Sequence, residues 1–70
     1  MQYKSVVAEN VRTIINERGL KQYAVAEKAG YAPTTFNNML CGRKAISAAD
    51  IPRLAAALSV DFNTLFATPK

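Results

Sequence analysis

The sequence predicts an all-α protein built from five short helices. Its apolar residues recur at spacings of three and four rather than two, and Gly, Pro and capping residues divide the chain into about five segments with this helical pattern. A chain of 70 residues supports one hydrophobic core, because a protein this small buries only about 60% of the surface that it exposes when unfolded. We therefore expect a single domain over residues 1–70.

The first two predicted helices each end at a glycine. The first helix is expected over residues 3–18, where Gly19 ends it by taking a left-handed conformation. The second is expected over residues 22–29, and Gly30 ends it in the same way. The side chains predicted to face the core are Val7, Val11, Ile14, Ile15, Val25, Ala26 and Ala29.

The third helix is predicted over residues 33–40. Pro33 suits its first turn, because the fixed φ of proline is already helical and the missing N–H would have had no partner in the helix. Phe36, Met39 and Leu40 are expected to tie this helix to the core. At about 100° per residue, the remaining arc then faces solvent. The residues on that arc are Thr34, Asn37, Asn38 and Cys41.

Two starts compete for the fourth helix. Ser47 and Asp50 have the spacing of a capping box, with Asp in the usual Glu position. A cap at Ser47 places Pro52 beyond the first turn, whereas a cap at Asp50 leaves it within that turn, so we favour Asp50. A fifth helix over residues 62–67 is expected to be capped by Asp61. The side chains predicted to be buried are Ile51, Leu54, Ala55, Leu58, Phe62 and Leu65, with Phe66 as a further candidate.

The residue types argue against catalysis and metal binding. The chain has no His and one Cys, so it lacks an imidazole general base and a Cys/His set of zinc ligands. Its five Asp and Glu residues are scattered. We expect no enzyme active site, no metal and no other cofactor. The single Cys and the absence of an apolar signal-peptide core at the N-terminus favour the cytoplasm.

The charge balance points to an anionic partner. Nine Lys and Arg residues against five Asp and Glu residues give a formal net charge of +4. A positive excess of this size in a small domain favours binding to nucleic acid or to an anionic membrane surface. No apolar run approaches the roughly 20 residues that span a bilayer, so no membrane-spanning segment is expected. Charge alone does not choose between the two partners.

The order of these elements resembles the helix-turn-helix family of phage repressors and Cro-like, XRE-type regulators. The features that carry the resemblance are Gln22, Ala26, the Ala29-Gly30 turn, Phe36, Met39, the Gly42-Arg43-Lys44 loop, residues 54–60 and Leu65-Phe66. The resemblance covers residues 11–66, with the helix-turn-helix at about 22–41. It implies a compact five-helix, lambda-repressor-like DNA-binding domain whose third helix enters the major groove.

The resemblance places the base-reading positions on Pro33, Thr34 and Asn38, with Asn37 alongside. An Asn carboxamide donates to adenine N7 and accepts from its N6 amino group, so Asn38 is the expected direct reader of an A·T pair. Thr34 can bond several bases or place its methyl against thymine, whereas Pro33 offers apolar contact. Ala32 stands where the family usually has a capping Ser or Thr, and its missing cap should cost about 1 kcal/mol.

Contacts to the phosphate backbone are implied for four other residues. Gln22 and Tyr23 lie at the start of the second helix, whose terminal N–H groups attract anions. Arg43 and Lys44, just after the third helix, should supply the sequence-independent attraction.

Two functions are expected from these features. The first is a sequence-specific transcriptional regulator of double-stranded DNA, a phage or prophage-type repressor that reads a pseudo-palindromic operator. The alternative is a protein-interaction module on the same fold, such as an antirepressor or an antitoxin-like partner, because the reading helix carries no charge. In similar proteins the last helix often supplies the dimer contact, here Phe62 and Phe66. That surface is small, so we expect a weak homodimer, a dimer formed on DNA, or a piece of a longer protein.

Overall fold

A computed structural model describes residues 6–67, which form five α-helices and no strand. The helices are α1 (Val6–Arg18), α2 (Gln22–Ala29), α3 (Pro33–Leu40), α4 (Asp50–Leu58) and α5 (Phe62–Phe66). The predicted all-α class is confirmed, and α2 and α3 have the predicted bounds. The predicted start of the first helix, at residue 3, lies outside the described residues. The single domain over residues 1–70 stays a prediction.

All five helices contribute to one apolar core. α1 packs against α3 and α5, α2 packs against α3 and α4, and α4 also packs against α5. The largest side chains with essentially no exposure are Val11, Phe36, Met39, Leu54, Leu58 and Leu65. Phe36, at the centre of α3, packs that helix against the core. The opposite face of α3 is exposed to solvent.

Glycines in the left-handed region end the first two helices, as predicted. Gly19 has a φ of 64°, and the N–H of Leu20 donates to the carbonyl of Ile15 at 2.9 Å. Gly30 has a φ of 84°, and the N–H of Tyr31 donates to the carbonyl of Ala26 at 2.9 Å. Both bonds satisfy carbonyls that the end of a helix leaves without a partner. The bond after Gly30 also sets the sharp turn between α2 and α3.

The predicted cap of α4 is wrong. Asp50 is the first residue of the helix, and Ala49 occupies the cap position without a side-chain bond. The Asp50 carboxylate instead accepts from the N–H of Ser47 at 2.8 Å and from its hydroxyl at 3.0 Å. This is the backward-reaching half of a capping box, so Ser47 and Asp50 act together rather than as alternatives. Pro52 still lies within the first turn, where its missing N–H costs no helical bond.

The cap of α5 is confirmed, but part of its predicted burial is wrong. Asp61 accepts from the N–H of Thr64 at 2.9 Å. Leu65 is completely buried, whereas Phe62 is 53% exposed and Phe66 is 55% exposed. A helix of five residues, which ends at Phe66 rather than Ala67, turns only one narrow face to the core. Leu65 occupies that face.

Two polar side chains of α1 donate hydrogen bonds to carbonyls at the C-terminal ends of α4 and α5. The Nδ2 group of Asn10 donates to the carbonyls of Leu65 and Ala67, each at 2.7 Å. Nη1 of Arg18 donates to the carbonyl of Leu58 at 2.5 Å. Because the last carbonyls of a helix lack partners within it, these bonds fix the ends of α4 and α5 against α1.

Candidate nucleic-acid interface

The turn between α2 and α3 is held by an arginine from α4. Nε of Arg53 donates to the carbonyl of Ala29 at 3.0 Å, and its Nη2 donates to the carbonyl of Gly30 at 2.9 Å. The guanidinium carbon also lies 4.2 Å from the centre of the Tyr31 ring, a cation–π distance. Arg53 therefore contacts the backbone before the turn and the side chain after it, which fixes the angle at which α3 leaves α2.

Tyr31 extends this contact to the start of α4. Its ring stacks with that of Phe36, with centroids 6.1 Å apart, and its hydroxyl donates to Oδ1 of Asp50 at 2.6 Å. Burial of the phenol, together with this bond to Asp50, raises the pKa of Tyr31 to about 12. Burial alone would raise the pKa of Asp50, but hydrogen bonds from Tyr31 and Ser47 and the charge of Lys44 outweigh it and hold this pKa below its usual value. A neutral phenol and an ionised carboxylate are thus the stable pair.

Local sequence patterns did not reveal this network. Arg53 reads as a charged interruption in an apolar helix, and Tyr31 reads as a packing residue. Their bonding partners lie 19 to 24 positions away along the chain. One sequence feature did point to the network. Asp50 stands among apolar residues, and a carboxylate that is buried there requires hydrogen-bond donors from other parts of the chain.

The exposed face of α3 is polar and uncharged. Phe36, Met39 and Leu40 are buried, as predicted. The candidate base-reading residues lie on the opposite face, where Pro33, Thr34 and Asn37 are exposed and Asn38 is half-buried. Pro33 is the first helical residue, and Ala32 before it makes no capping bond, as expected from its methyl side chain. The arrangement presents amide, hydroxyl and apolar groups on a helix that the core holds in place.

Gln22 and Asn37 connect the start of α2 to the exposed face of α3. Nε2 of Gln22 donates to Oδ1 of Asn37 at 3.1 Å. Cys41, which is also exposed, places its thiol 3.7 Å from the same oxygen. The helix-turn-helix thus brings together one residue predicted to contact phosphate and one predicted to lie beside the base readers.

The basic loop folds back onto the end of α3. The backbone N–H groups of Arg43 and Lys44 both donate to the carbonyl of Asn38, at 2.9 and 3.2 Å. Both basic side chains are exposed. Tyr23, the second residue of α2, is 60% exposed. The four candidate phosphate-binding residues therefore lie at the start of α2 and directly after α3, and Gln22 is the one whose side chain bonds the polar face.

The remaining two candidates belong to another surface. Phe62 and Phe66 lie on α5, which packs against α1 and α4. Among residues 6–67, no helix is long and apolar enough to cross a membrane.

Comparison with known proteins identifies the same fold. A family model described as a helix-turn-helix domain matches residues 7–65. The structure of a hypothetical transcription factor, NHTF from Neisseria, is 29% identical over 93% of this chain and 73% of its own, with a TM-score of 0.82. The restriction-modification controller protein C.AhdI from Aeromonas hydrophila is 24% identical over 89% of this chain and 94% of its own, with a TM-score of 0.79.

The clp gene regulator ClgR from C. glutamicum is more distant in sequence. It is 18% identical over 89% of this chain and 80% of its own, with a TM-score of 0.81. At these low identities, ClgR and C.AhdI show the shared fold alone. No curated protein sequence matches this chain significantly. The five helices, the glycine turn between α2 and α3 and the match over residues 7–65 together show that the chain belongs to the helix-turn-helix domain family.

Proposed function

We propose that the protein is a sequence-specific transcriptional regulator that binds double-stranded DNA by inserting α3 into the major groove. One observation carries the proposal. The uncharged polar face of α3 is joined to the start of α2 by the Gln22–Asn37 bond, and the exposed Arg43 and Lys44 follow it in a loop that bonds back to Asn38. This is the arrangement that DNA recognition needs, with hydrogen-bonding groups at the base edges and cations at the phosphates.

The base-reading roles follow from the chemistry of each exposed side chain. The carboxamide of Asn38 makes no hydrogen bond within residues 6–67, so both its oxygen and its nitrogen are available for an adenine edge. Thr34, in the first turn of α3, brings a hydroxyl and a methyl group to the neighbouring base pair. Asn37 and Pro33 complete the surface, Pro33 through apolar contact.

The phosphate-binding roles rest on position and charge. Gln22 and Tyr23 present an amide and a phenol at the N-terminus of α2, where the free N–H groups of the helix also favour an anion. Arg43 and Lys44 lie beyond the other end of the reading helix. Their charges attract the duplex whatever its sequence, and the bonds from their backbone to Asn38 hold them next to the bases being read.

Selection from a random pool of duplexes tests the proposal. The protein should enrich one sequence, and its affinity for that sequence should fall by roughly a hundredfold between about 50 mM and about 200 mM salt if two copies each neutralise two phosphates through Arg43 and Lys44. Asn38→Ala should relax the preference at one A·T pair by about 1–3 kcal/mol. The double variant Arg43→Ala/Lys44→Ala should instead weaken binding to all sequences about equally. Failure to enrich any duplex would exclude this function.

The finer proposal is a repressor of the phage or prophage type that acts in the cytoplasm as a dimer. Phe62 and Phe66 leave large apolar side chains exposed on α5, which supports a contact between two copies. Two copies related by a two-fold axis would place their α3 helices about 34 Å apart, one turn of the duplex, on a pseudo-palindromic operator. Binding at a promoter would then block transcription by occupancy.

A protein-interaction module remains the second candidate. The observation that favours it is the absence of charge along α3, together with Pro33 at the position where a polar side chain would be most useful for reading a base. Under this alternative the polar face binds another regulator. The duplex selection separates the two functions, because an interaction module enriches no sequence.

A further inference from the structure

Asn37 and Asn38 are adjacent and chemically identical, but their surroundings differ. The Oδ1 atom of Asn37 accepts from Nε2 of Gln22 at 3.1 Å and faces the thiol of Cys41 at 3.7 Å. The carboxamide of Asn38 has no hydrogen bond within residues 6–67. A pair that would be read as two equivalent amides therefore presents two different sets of donors and acceptors.

The hydrogen-bonding capacity of Asn37 decides what it offers to a ligand. A carboxamide oxygen has two lone pairs, and here two donors face them. The Nδ2 group carries two N–H donors and makes no hydrogen bond within residues 6–67. Asn37 thus presents donors without an available acceptor.

The base edges in the major groove respond differently to such a group. Adenine offers the N7 acceptor beside the N6 donor, so its pairing with an amide requires the amide oxygen. Guanine offers two neighbouring acceptors, N7 and O6, and needs donors only. The surroundings of Asn37 therefore favour guanine and disfavour adenine, which is the reverse of the choice available to Asn38.

We propose that Gln22 sets the base specificity of Asn37: by donating to its carboxamide oxygen, Gln22 makes Asn37 a donor-only side chain that selects guanine over adenine. The inference rests on the proposed DNA-binding function and assigns a specificity-determining role to a residue outside the reading helix. The second N–H of the Gln22 Nε2 group remains available for a phosphate, so the same amide links the position of the backbone to the choice of base.

The test compares base preferences of the full chain and three variants in the same random duplex pool. Asn37→Ala locates the base pair that Asn37 reads, which is the position where preference is lost. The unaltered protein should favour guanine over adenine there by about tenfold. Gln22→Met, similar in size but unable to donate, frees one lone pair of the Asn37 oxygen and should reduce this ratio below about twofold or reverse it. Gln22→Lys, which restores a donor, should keep the guanine preference.

The outcomes distinguish failure of this inference from failure of the proposed DNA-binding function. If the unaltered protein enriches no duplex, both fail. If it enriches a sequence, the inference alone is overturned by any one of three results: no position responds to Asn37→Ala, the responding position does not favour guanine, or Gln22→Met and Gln22→Lys behave alike. A measurement without DNA adds an independent check. The side-chain amide NMR signals of Gln22 should move in Asn37→Ala and stay in place in Asn38→Ala, and equal responses to the two variants would contradict the bond.

Discussion

At the residue scale, Tyr31 shows how a single hydroxyl joins distant parts of the chain. Its ring contacts Phe36 of α3 and the guanidinium of Arg53, and its hydroxyl donates to Asp50 at the start of α4. The aromatic face and the phenol therefore have separate partners, which a substitution by Phe can distinguish. Tyr31→Phe keeps the packing and removes the bond.

The pH dependence of stability should report this bond. The pKa of Tyr31 is raised from 10.0 to about 12, so folding favours the protonated phenol. Its stabilising contribution is complete below the unfolded pKa and is lost as pH rises from about 10 through about 12. We expect the difference in unfolding free energy between the unaltered protein and Tyr31→Phe to be constant from neutral pH to about 9 and then to shrink.

Urea unfolding at a series of pH values measures this difference. Tyr23→Phe removes an exposed phenol and controls for the loss of a tyrosine as such. A difference for Tyr31→Phe that stays constant up to pH 12 would contradict the role of the bond. The Asp50 contribution has the opposite dependence, because its lowered pKa makes it complete above about 3.8 and lost as pH falls further.

The limits of sequence reasoning are clearest for residues with distant partners. The inward positions of Val11 and Phe36 follow from helical spacing alone. The bonds of Arg53 to the turn and of Asn10 to α5 depend on which helices lie side by side, and no local pattern encodes that. The exposed faces of Pro33, Thr34 and Asn37 were predictable, whereas the bond between Gln22 and Asn37 required the helix-turn-helix angle.

At the element scale, α3 lacks a side-chain hydrogen bond at its N-cap. Ala32 has the extended backbone of a normal N-cap, with φ of −65° and ψ of 144°, but its methyl group accepts no hydrogen bond. Ala32→Ser should add that acceptor without moving the backbone and should raise the unfolding free energy by about 1 kcal/mol. Chemical denaturation measures the change.

A matched variant separates capping from the general effect of serine. Ala24→Ser places the same side chain at an exposed position inside α2, where serine is a poorer helix former than alanine, and should lower stability slightly. Equal effects of the two substitutions would show that the vacant cap at Ala32 has no energetic consequence.

The turn between α2 and α3 should tolerate a side chain less well than the turn after α1. A Cβ atom at Gly30 would lie 2.6 Å from Nη2 of Arg53, whereas one at Gly19 would have no neighbour within 4 Å. Both glycines have positive φ, so alanine at either should cost about 1–2 kcal/mol of unfolding free energy through backbone strain. Gly30→Ala should cost more, because Arg53 must leave the carbonyls that it binds.

Thermal or urea unfolding of both alanine variants tests this difference. In an Arg53→Ala background, the extra cost of Gly30→Ala over Gly19→Ala should disappear, since the obstructing guanidinium is gone. An excess that persists in that background would assign the cost to the backbone of the turn and not to the arginine.

The element bounds themselves were largely predictable, for identifiable reasons. Gly19, Gly30 and Pro33 lie where helices end and begin. The two glycines can adopt the positive φ that ends a helix, and proline has a fixed φ that suits the first turn of one. The start of α4 was predicted less well, because Asp50 lies inside the helix and its carboxylate accepts two bonds from Ser47, whereas a cap at either residue alone does not describe this arrangement. Burial of Phe62 was predicted from its apolar character, but α5 is too short to bury it and Leu65 on the same face.

At the scale of the whole molecule, the proposed function uses two separate surfaces. The polar face of α3 and its basic border belong to α2, α3 and the loop that follows, whereas the exposed phenyl rings belong to α5. A change that prevents association of two copies should therefore leave each copy able to contact DNA through α3.

The double variant Phe62→Ser/Phe66→Ser tests this separation. We expect it to stay monomeric at concentrations where the unaltered protein associates, because two half-exposed phenyl groups leave the contact. Its binding to a full operator should weaken more than its binding to a half-site. Sedimentation velocity measures the association, and titration of the two duplexes measures the binding. Leu20→Ser, at an exposed apolar residue after α1, is the control and should change neither. Unchanged association of the double variant would exclude α5 as the contact.

The bonds from Asn10 to the last carbonyls of α5 have a consequence for how the protein is made. Asn10 lies near the beginning of the chain and its acceptors, Leu65 and Ala67, near the end, and Leu65 fills the core that α1 also lines. A growing polypeptide on the ribosome emerges with α1 first, yet α1 has no complete surface to rest on until α5 has been synthesised. The packing of α1 is thus complete only after the helix-turn-helix between the two ends has been translated and α5 has joined α1.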